Sequence, residues 1–260
     1  MSKLIDRLST LGQVSQTRLG FGPTVPTTRN PVMLIVGFIK GSAKGTRLGP
    51  ALQCLDAIII SSSNAVGPSQ PQLKNLDDRI WGLGVNTAKP QSMQALKRSG
   101  CDFLVLETKD APLIWLQDNG MAKGFPIEIG IPDEQARALE DLPFDFLILD
   151  SAKCDWPLSV GSLIQIQSSI SMVSKHIFMR VPKVPPPDEV RLLRDLPVSA
   201  LVLDIDTVDI KSLKTLRETV NKLDPRKPGT EHDHAISLHP HPPHITHQNT
   251  GHEGDEEWED

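Results

Sequence analysis

Phe144-Asp145-Phe146-Leu147-Ile148-Leu149-Asp150 is a short apolar run closed by an acidic residue at each side. A run of this length, continuously apolar rather than alternating, suits a strand covered on both faces. Three other segments repeat it. They are Leu55-Asp56-Ala57-Ile58-Ile59-Ile60-Ser61, Cys101-Asp102-Phe103-Leu104-Val105-Leu106-Glu107 and Val198-Ser199-Ala200-Leu201-Val202-Leu203-Asp204.

Four further apolar runs interleave with these copies: Val32 to Ile39, Ile80 to Asn86, Phe125 to Ile131 and His176 to Val181. The copies therefore become strands 2, 4, 6 and 8 of a series of eight. Helical segments fill most gaps, the clearest being Gln91 to Ser99, Pro132 to Leu142, Val160 to Val173, Pro187 to Leu196 and Val208 to Leu223. Pro132-Asp133-Glu134 and Pro187-Asp188-Glu189 are good first turns, with proline where no N–H is needed and acids at the positive dipole end. Gly67, Pro68, Pro71 and Pro112 weaken the helices expected after strands 2 and 4. The pattern predicts an α/β fold, a (βα)8 barrel of eight parallel strands, in which alternate strands share layers. The alternative is an open doubly wound sheet. It needs a phosphate-binding glycine turn after the first strand, and Gly37-Phe38-Ile39-Lys40-Gly41-Ser42-Ala43-Lys44-Gly45 is a poor one.

The barrel is expected over residues 31–223. Residues 1–30 read as a short amphipathic helix, with Leu4, Ile5, Leu8 and Leu11 at helical spacing, followed by an irregular arm. The helix is placed either across the bottom of the barrel or loosely docked. Residues 224–260 are rich in proline, histidine and acid and cannot bury a core, so a disordered tail is expected.

The chain of 260 residues carries a formal net charge of −5. No basic face is offered to nucleic acid, and no apolar run is long enough to span a bilayer. Cys54, Cys101 and Cys154 form no CxxC pair, which fits reduced thiols in a cytoplasmic protein. The oligomeric state is not legible.

Side chains on a strand alternate faces. Leu104, Leu106, Leu147, Leu149, Leu201 and Leu203 share one face, suited to packing under helices. The other face then ends in Ser61, Glu107, Asp150 and Asp204. Read the same way, the odd strands turn Trp81, Leu83, Val85, Ile127, Ile129, Ile177, Met179 and Val181 outward. Gly82, Gly84, Asn86, Glu128, Gly130, His176, Phe178 and Arg180 are left inside, and Lys40 shares parity with Val36 and Phe38. Each strand so ends in one inward polar residue: Lys40, Ser61, Asn86, Glu107, Glu128, Asp150, Arg180 and Asp204. Charges brought together out of water are costly unless paired, so the ring marks a candidate site. An ion-pair network that only plugs the barrel is the alternative.

The ring holds neither histidine nor tyrosine, so acid–base work would fall to Glu107, Asp150, Asp204 and Glu128. Lys40 and Arg180, with Ser61 and Asn86, would bind an anionic substrate. Glu128 and Asp150 could hold a hard divalent cation such as Mg²⁺ through oxygen. Lys153 offers a Schiff-base amine and Cys154 a thiol, though a solvated lysine and an inert cysteine are the plainer readings. His176 opens strand 7, at the end of a barrel that serves stability. Neither a P-loop nor a dinucleotide fingerprint is present, and the loops after strands 7 and 8 lack glycine, so no nucleotide or flavin is expected. The tail histidines His232, His234, His239, His241, His244, His247 and His252 could bind Zn²⁺ or Ni²⁺ loosely.

The alternation resembles that of many metabolic (βα)8 barrels and selects no family among them. Glu128 and Asp150, ending strands 5 and 6, are similar to the metal pair of barrel aldolases and lyases that act on keto acids. The resemblance implies a barrel enzyme acting on a small anionic metabolite, of lyase or isomerase type. The other expectation is a non-catalytic binding or scaffold barrel whose tail handles metal.

Overall fold

The computed structural model describes residues 2–13, 29–40, 48–62, 76, 79–86, 93–117 and 120–225. Eight parallel strands close into a barrel in sequence order. They are β1 (Leu34–Lys40), β2 (Ala57–Ser62), β3 (Ile80–Val85), β4 (Phe103–Leu106), β5 (Ala122–Glu128), β6 (Phe146–Asp150), β7 (His176–Val181) and β8 (Val198–Asp204). Pairing of β1 with β8, Val36 opposite Val202, closes the ring and excludes the open doubly wound sheet.

Helices α1 (Lys3–Ser9), α2 (Leu48–Leu52), α3 (Met93–Arg98), α4 (Asp133–Asp141), α5 (Val160–Ile170), α6 (Pro187–Asp195) and α7 (Ile210–Lys222) accompany the strands. Among its described residues the proline-interrupted gap after β4 holds a 3₁₀ turn, Leu113–Leu116, behind Pro112. The tail from 226 onward, with its seven histidines, lies outside the described residues. No helix among the described residues is long and apolar enough to cross a membrane.

The two faces of the strands build two cores. Leu104, Leu106, Leu147, Leu149, Leu201 and Leu203 pack outward with Trp81, Leu83, Ile127, Ile177 and Met179 against the helices. Leu34, Val36, Phe38, Ala57, Ile59, Phe103, Val105, Phe146, Ile148, Phe178, Ala200 and Val202 fill the lumen. Glycine makes room for the rings. A Cβ on Gly82 would stand 2.3 Å from the Phe103 ring, and one on Gly124 would stand 2.2 Å from Phe146. The Phe146 and Phe178 rings then stack with centroids 4.4 Å apart.

The amphipathic start docks. Leu4 and Leu8 of α1 are buried in the lumen core, with Ile5 and Leu11 packed against it, so the helix floors the barrel at the strand N-termini. Asp102 holds it there, accepting hydrogen bonds from Ser2 Oγ (2.7 Å), Lys3 N (2.8 Å) and Leu4 N (2.9 Å). A carboxylate on the exposed N–H groups of a first turn is worth about 1 kcal/mol.

Asp102 belongs to the repeat, and its counterparts do related work. Asp56 N donates to Ile35 O at 2.8 Å while Ile35 N donates back to its carboxylate at 2.8 Å. Asp145 makes the same reciprocal pair with Lys123, at 2.8 Å and 2.7 Å. Asp56 also receives Arg7 of α1 (2.7 Å) and Arg217 of α7 (2.6 Å), and its side chain is 3% exposed. In the fourth copy Ser199 replaces the acid and its Oγ lies 3.3 Å from His176 Nδ1. His176 is thus placed at the floor end of β7, as its position predicts.

β5 corrects the expected strand Phe125 to Ile131. It begins three residues earlier, at Ala122, and stops at Glu128. Lys123 and Gly124 interrupt the apolar pattern there, yet Gly124 is the seat for Phe146. Gly130, expected inside, stands exposed beyond the strand in a turn with φ of 81°, a conformation glycine adopts without strain.

Candidate active site at the strand C-termini

The strand C-termini carry Lys40, Ser61, Asn86, Glu107, Glu128, Asp150, Arg180 and Asp204, and the structure sorts them into an inner group and a rim. Ser61 and Glu107 meet inside. Ser61 Oγ donates to Glu107 Oε2 at 2.9 Å. Glu107 Oε1 is buried and has no hydrogen-bond partner among the described residues. It rests on Gly84, where a Cβ would come within 2.2 Å of that oxygen. The missing side chain at Gly84 is therefore what lets the carboxyl group turn inward. Burial pushes the Glu107 carboxyl above its ordinary value of 4.5, against the opposing pull of the Ser61 hydrogen bond and the Arg180 charge.

Arg180 shares this group. Its guanidinium lies 4.3 Å above the centre of the Phe38 ring, a favourable cation–π position. It is half-buried and forms no ion pair or side-chain hydrogen bond with another described residue. Asp150 stands directly opposite it in the β6–β7 register.

The acids ending β6 and β8 turn back on their own loops. Asp150 Oδ1 accepts from Ala152 N at 2.9 Å, and Asp204 Oδ1 accepts from Asp206 N at 3.0 Å. Asp204 Oδ2 also faces Lys40 Nζ at 3.9 Å, with Lys40 68% exposed. Asn86 is exposed just beyond β3.

Glu128 leaves the expected convergence. Its side chain is 74% exposed and bonds Lys153 Nζ at 2.6 Å, so it sits on the rim. The Lys153 contact holds the Glu128 carboxyl below its usual range and raises the lysine. A lysine raised in this way stays protonated, which is unsuited to Schiff-base attack. Cys154 is likewise pushed up by partial burial, and Cys101 by deep burial to about 12, so neither favours a thiolate.

Glu128 and Asp150, the pair expected to hold a hard cation, each have another partner in the structure. Glu128 is committed to Lys153, Asp150 to Ala152 N, and among the described residues no group of three His, Cys, Asp or Glu side chains converges. The predicted tail ligands lie outside the described residues.

The seat of Glu107 is not legible in the sequence. Strand parity puts Gly84 inside, but its contact with Glu107 depends on β3–β4 register: Gly84 pairs with Val105, two residues before the acid. The Phe38 platform for Arg180 likewise joins strands at opposite ends of the chain. The only sequence cue was their shared inward parity.

Similarity to known structures stands at the level of architecture. A single-substitution variant of the tryptophan synthase alpha-subunit from Pyrococcus furiosus aligns with a TM-score of 0.52 and 12% identity, covering 73% of this chain and 97% of that one. Another structure of that subunit gives 0.53 and 13% over the same shares. The tryptophan synthase complex from the same organism gives 0.52 and 12%, again over 73% and 97%. The likeness is one of fold. No protein-family model matches the chain, and no curated protein matches it.

Proposed function

We propose that this barrel is an enzyme acting on a small anionic metabolite, with lyase or isomerase chemistry. The observation that carries the reading is the inner group at the strand C-termini: a carboxyl group with a raised pKa, one oxygen held by Ser61, and a guanidinium over the Phe38 ring that forms no ion pair with another described residue. Barrel enzymes place their chemistry at this face, and the tryptophan synthase alpha-subunit shows the fold in an enzyme subunit.

Each residue has a physical task. Arg180, backed by Phe38, binds the substrate's negative group and fixes its orientation. Glu107 moves a proton to or from the carbon or oxygen that the bound anion presents. Burial brings its pKa nearer neutrality, where a group exchanges protons most effectively. Ser61 holds one Glu107 oxygen and so restricts the rotation of the carboxyl group. Lys40 and Asp204 flank the mouth.

The test is proton exchange. Small keto and hydroxy acids incubated with the protein in D₂O should take up deuterium next to the carbonyl or hydroxyl carbon, read by NMR. Glu107→Gln should abolish the exchange while anion binding survives. Absence of exchange with every acid tried, in a protein that still binds them, would remove the catalytic reading and leave a binding barrel.

A further inference from the structure

The nature of the anion is also written in the mouth of the barrel. Phosphate-binding barrels cradle the phosphate with backbone N–H groups of the loops after strands 7 and 8 and with a helix N-terminus. Here prolines replace several of those donors, and internal hydrogen bonds occupy others. The segment after β7 contains Pro182, Pro185, Pro186 and Pro187, none of which has an N–H. After β8 every N–H from 205 to 208 is used internally. Ile205 N donates to Phe38 O at 3.0 Å, and Asp206 N to Asp204 Oδ1 at 3.0 Å. Thr207 N and Val208 N donate to Asp204 O at 3.2 Å and 3.1 Å.

The helix starts carry caps or acids of their own. Asp209 caps α7 through Lys211 N and Ser212 N, at 3.1 Å and 3.2 Å. Ser159 caps α5 through Ser162 N at 3.1 Å. The first turn of α6 holds Asp188 and a buried Glu189, whose Oε1 already accepts from Leu158 N at 2.9 Å. An incoming phosphate would meet carboxylates at two of these three helix starts.

The charge balance argues likewise. Of the eight strand-end side chains, Glu107, Glu128, Asp150 and Asp204 are acids, and only Lys40 and Arg180 are cations. A dianion placed on Arg180 would face Asp150 across the register and Glu107 within its field. A carboxylate needs less. Its two oxygens match one guanidinium fork and leave no third charged oxygen to satisfy. Beneath it, Phe38, Val105, Ile148 and Val202 offer an apolar floor to the rest of the molecule.

We infer that Arg180 receives the carboxylate of a small, unphosphorylated organic acid. This rests on the proposed substrate site at the barrel mouth and names the class of molecule it takes. Titration calorimetry on the full chain tests it, with the monocarboxylates pyruvate and lactate set against glycerol 3-phosphate and inorganic phosphate. At least one carboxylate should bind, and Arg180→Met should weaken it roughly 10- to 100-fold, the loss expected for charge-assisted hydrogen bonds. Arg180→Lys, which keeps the charge and loses the fork, should fall between. It also serves if the methionine variant does not fold. The phosphates should bind more weakly than that carboxylate and without dependence on residue 180. A phosphate that binds more tightly than both acids and needs Arg180 would overturn the carboxylate assignment while keeping the site. Indifference of all four probes to residue 180 would overturn both.

Discussion

At the scale of single residues the protein separates two ionisable groups by environment. Glu107 sits near the top of the lumen with burial raising its carboxyl, and His176 sits at the floor with burial lowering its imidazole. Their effects on stability have opposite signs. A carboxyl whose folded pKa exceeds 4.5 keeps its proton after the unfolded chain has lost its own, so stability falls as pH rises from 4.5 through the folded value. An imidazole whose folded pKa lies below 6.5 contributes stability fully above 6.5 and loses it as pH falls through the folded value. Melting temperatures across this range, compared between wild type, Glu107→Gln and His176→Gln, should show both trends. The wild-type advantage over Glu107→Gln should shrink from about pH 4.5 upward, and that over His176→Gln should grow toward pH 6.5 and then level. Parallel profiles for all three proteins would mean that neither group changes its pKa on folding.

At the scale of elements, each even strand begins with an anchor that ties neighbouring pieces together. Asp56 is the most connected, since it bonds β1 through Ile35 N, α1 through Arg7 and α7 through Arg217. Removing it strands a buried backbone N–H and leaves the half-buried Arg217 without its carboxylate partner. Loss of one member of a buried ion pair costs about 3–5 kcal/mol, and the exposed Arg7 arm adds little. Asp56→Ala should therefore lower the denaturant midpoint by far more than Asp102→Ala, whose lost cap is worth about 1 kcal/mol. Equal urea midpoints for the two variants would contradict this ranking. The repeated Asp was visible as a motif, but its role was not, because Arg217 lies 161 residues from Asp56. Strand faces were legible for the opposite reason: leucine on one face and phenylalanine, valine or isoleucine on the other is a local alternation. β5 failed that test because Lys123 and Gly124 break the apolar run. The apolar run therefore points past the true strand end at Glu128, which puts Gly130 in the lumen by parity and hides the turn of Glu128 toward Lys153.

At the scale of the whole molecule the barrel divides its labour along its axis. The floor carries α1, Asp56, Asp102, Asp145 and the His176–Ser199 contact, and the mouth carries Ser61, Glu107 and Arg180 with the flanking Lys40–Asp204 pair. The strand between them, such as β6 from Phe146 to Asp150, is about 13 Å long from its rise per residue. The rings of Phe103, edge-on to Phe146, and of Phe178, stacked on Phe146, fill the space between. Sites more than about 7–10 Å apart without shared partners usually act additively. The two ends should therefore respond separately to substitution. Asp102→Ala should lower the melting temperature and leave the affinity for a bound carboxylate within about twofold. Arg180→Met should weaken that carboxylate while the melting temperature stays close to wild type, because methionine keeps an apolar contact on Phe38. The double variant should combine the two losses without a coupling term. A measured coupling, with Asp102→Ala weakening the carboxylate as much as Arg180→Met does, would mean that the floor helix sets the geometry of the mouth.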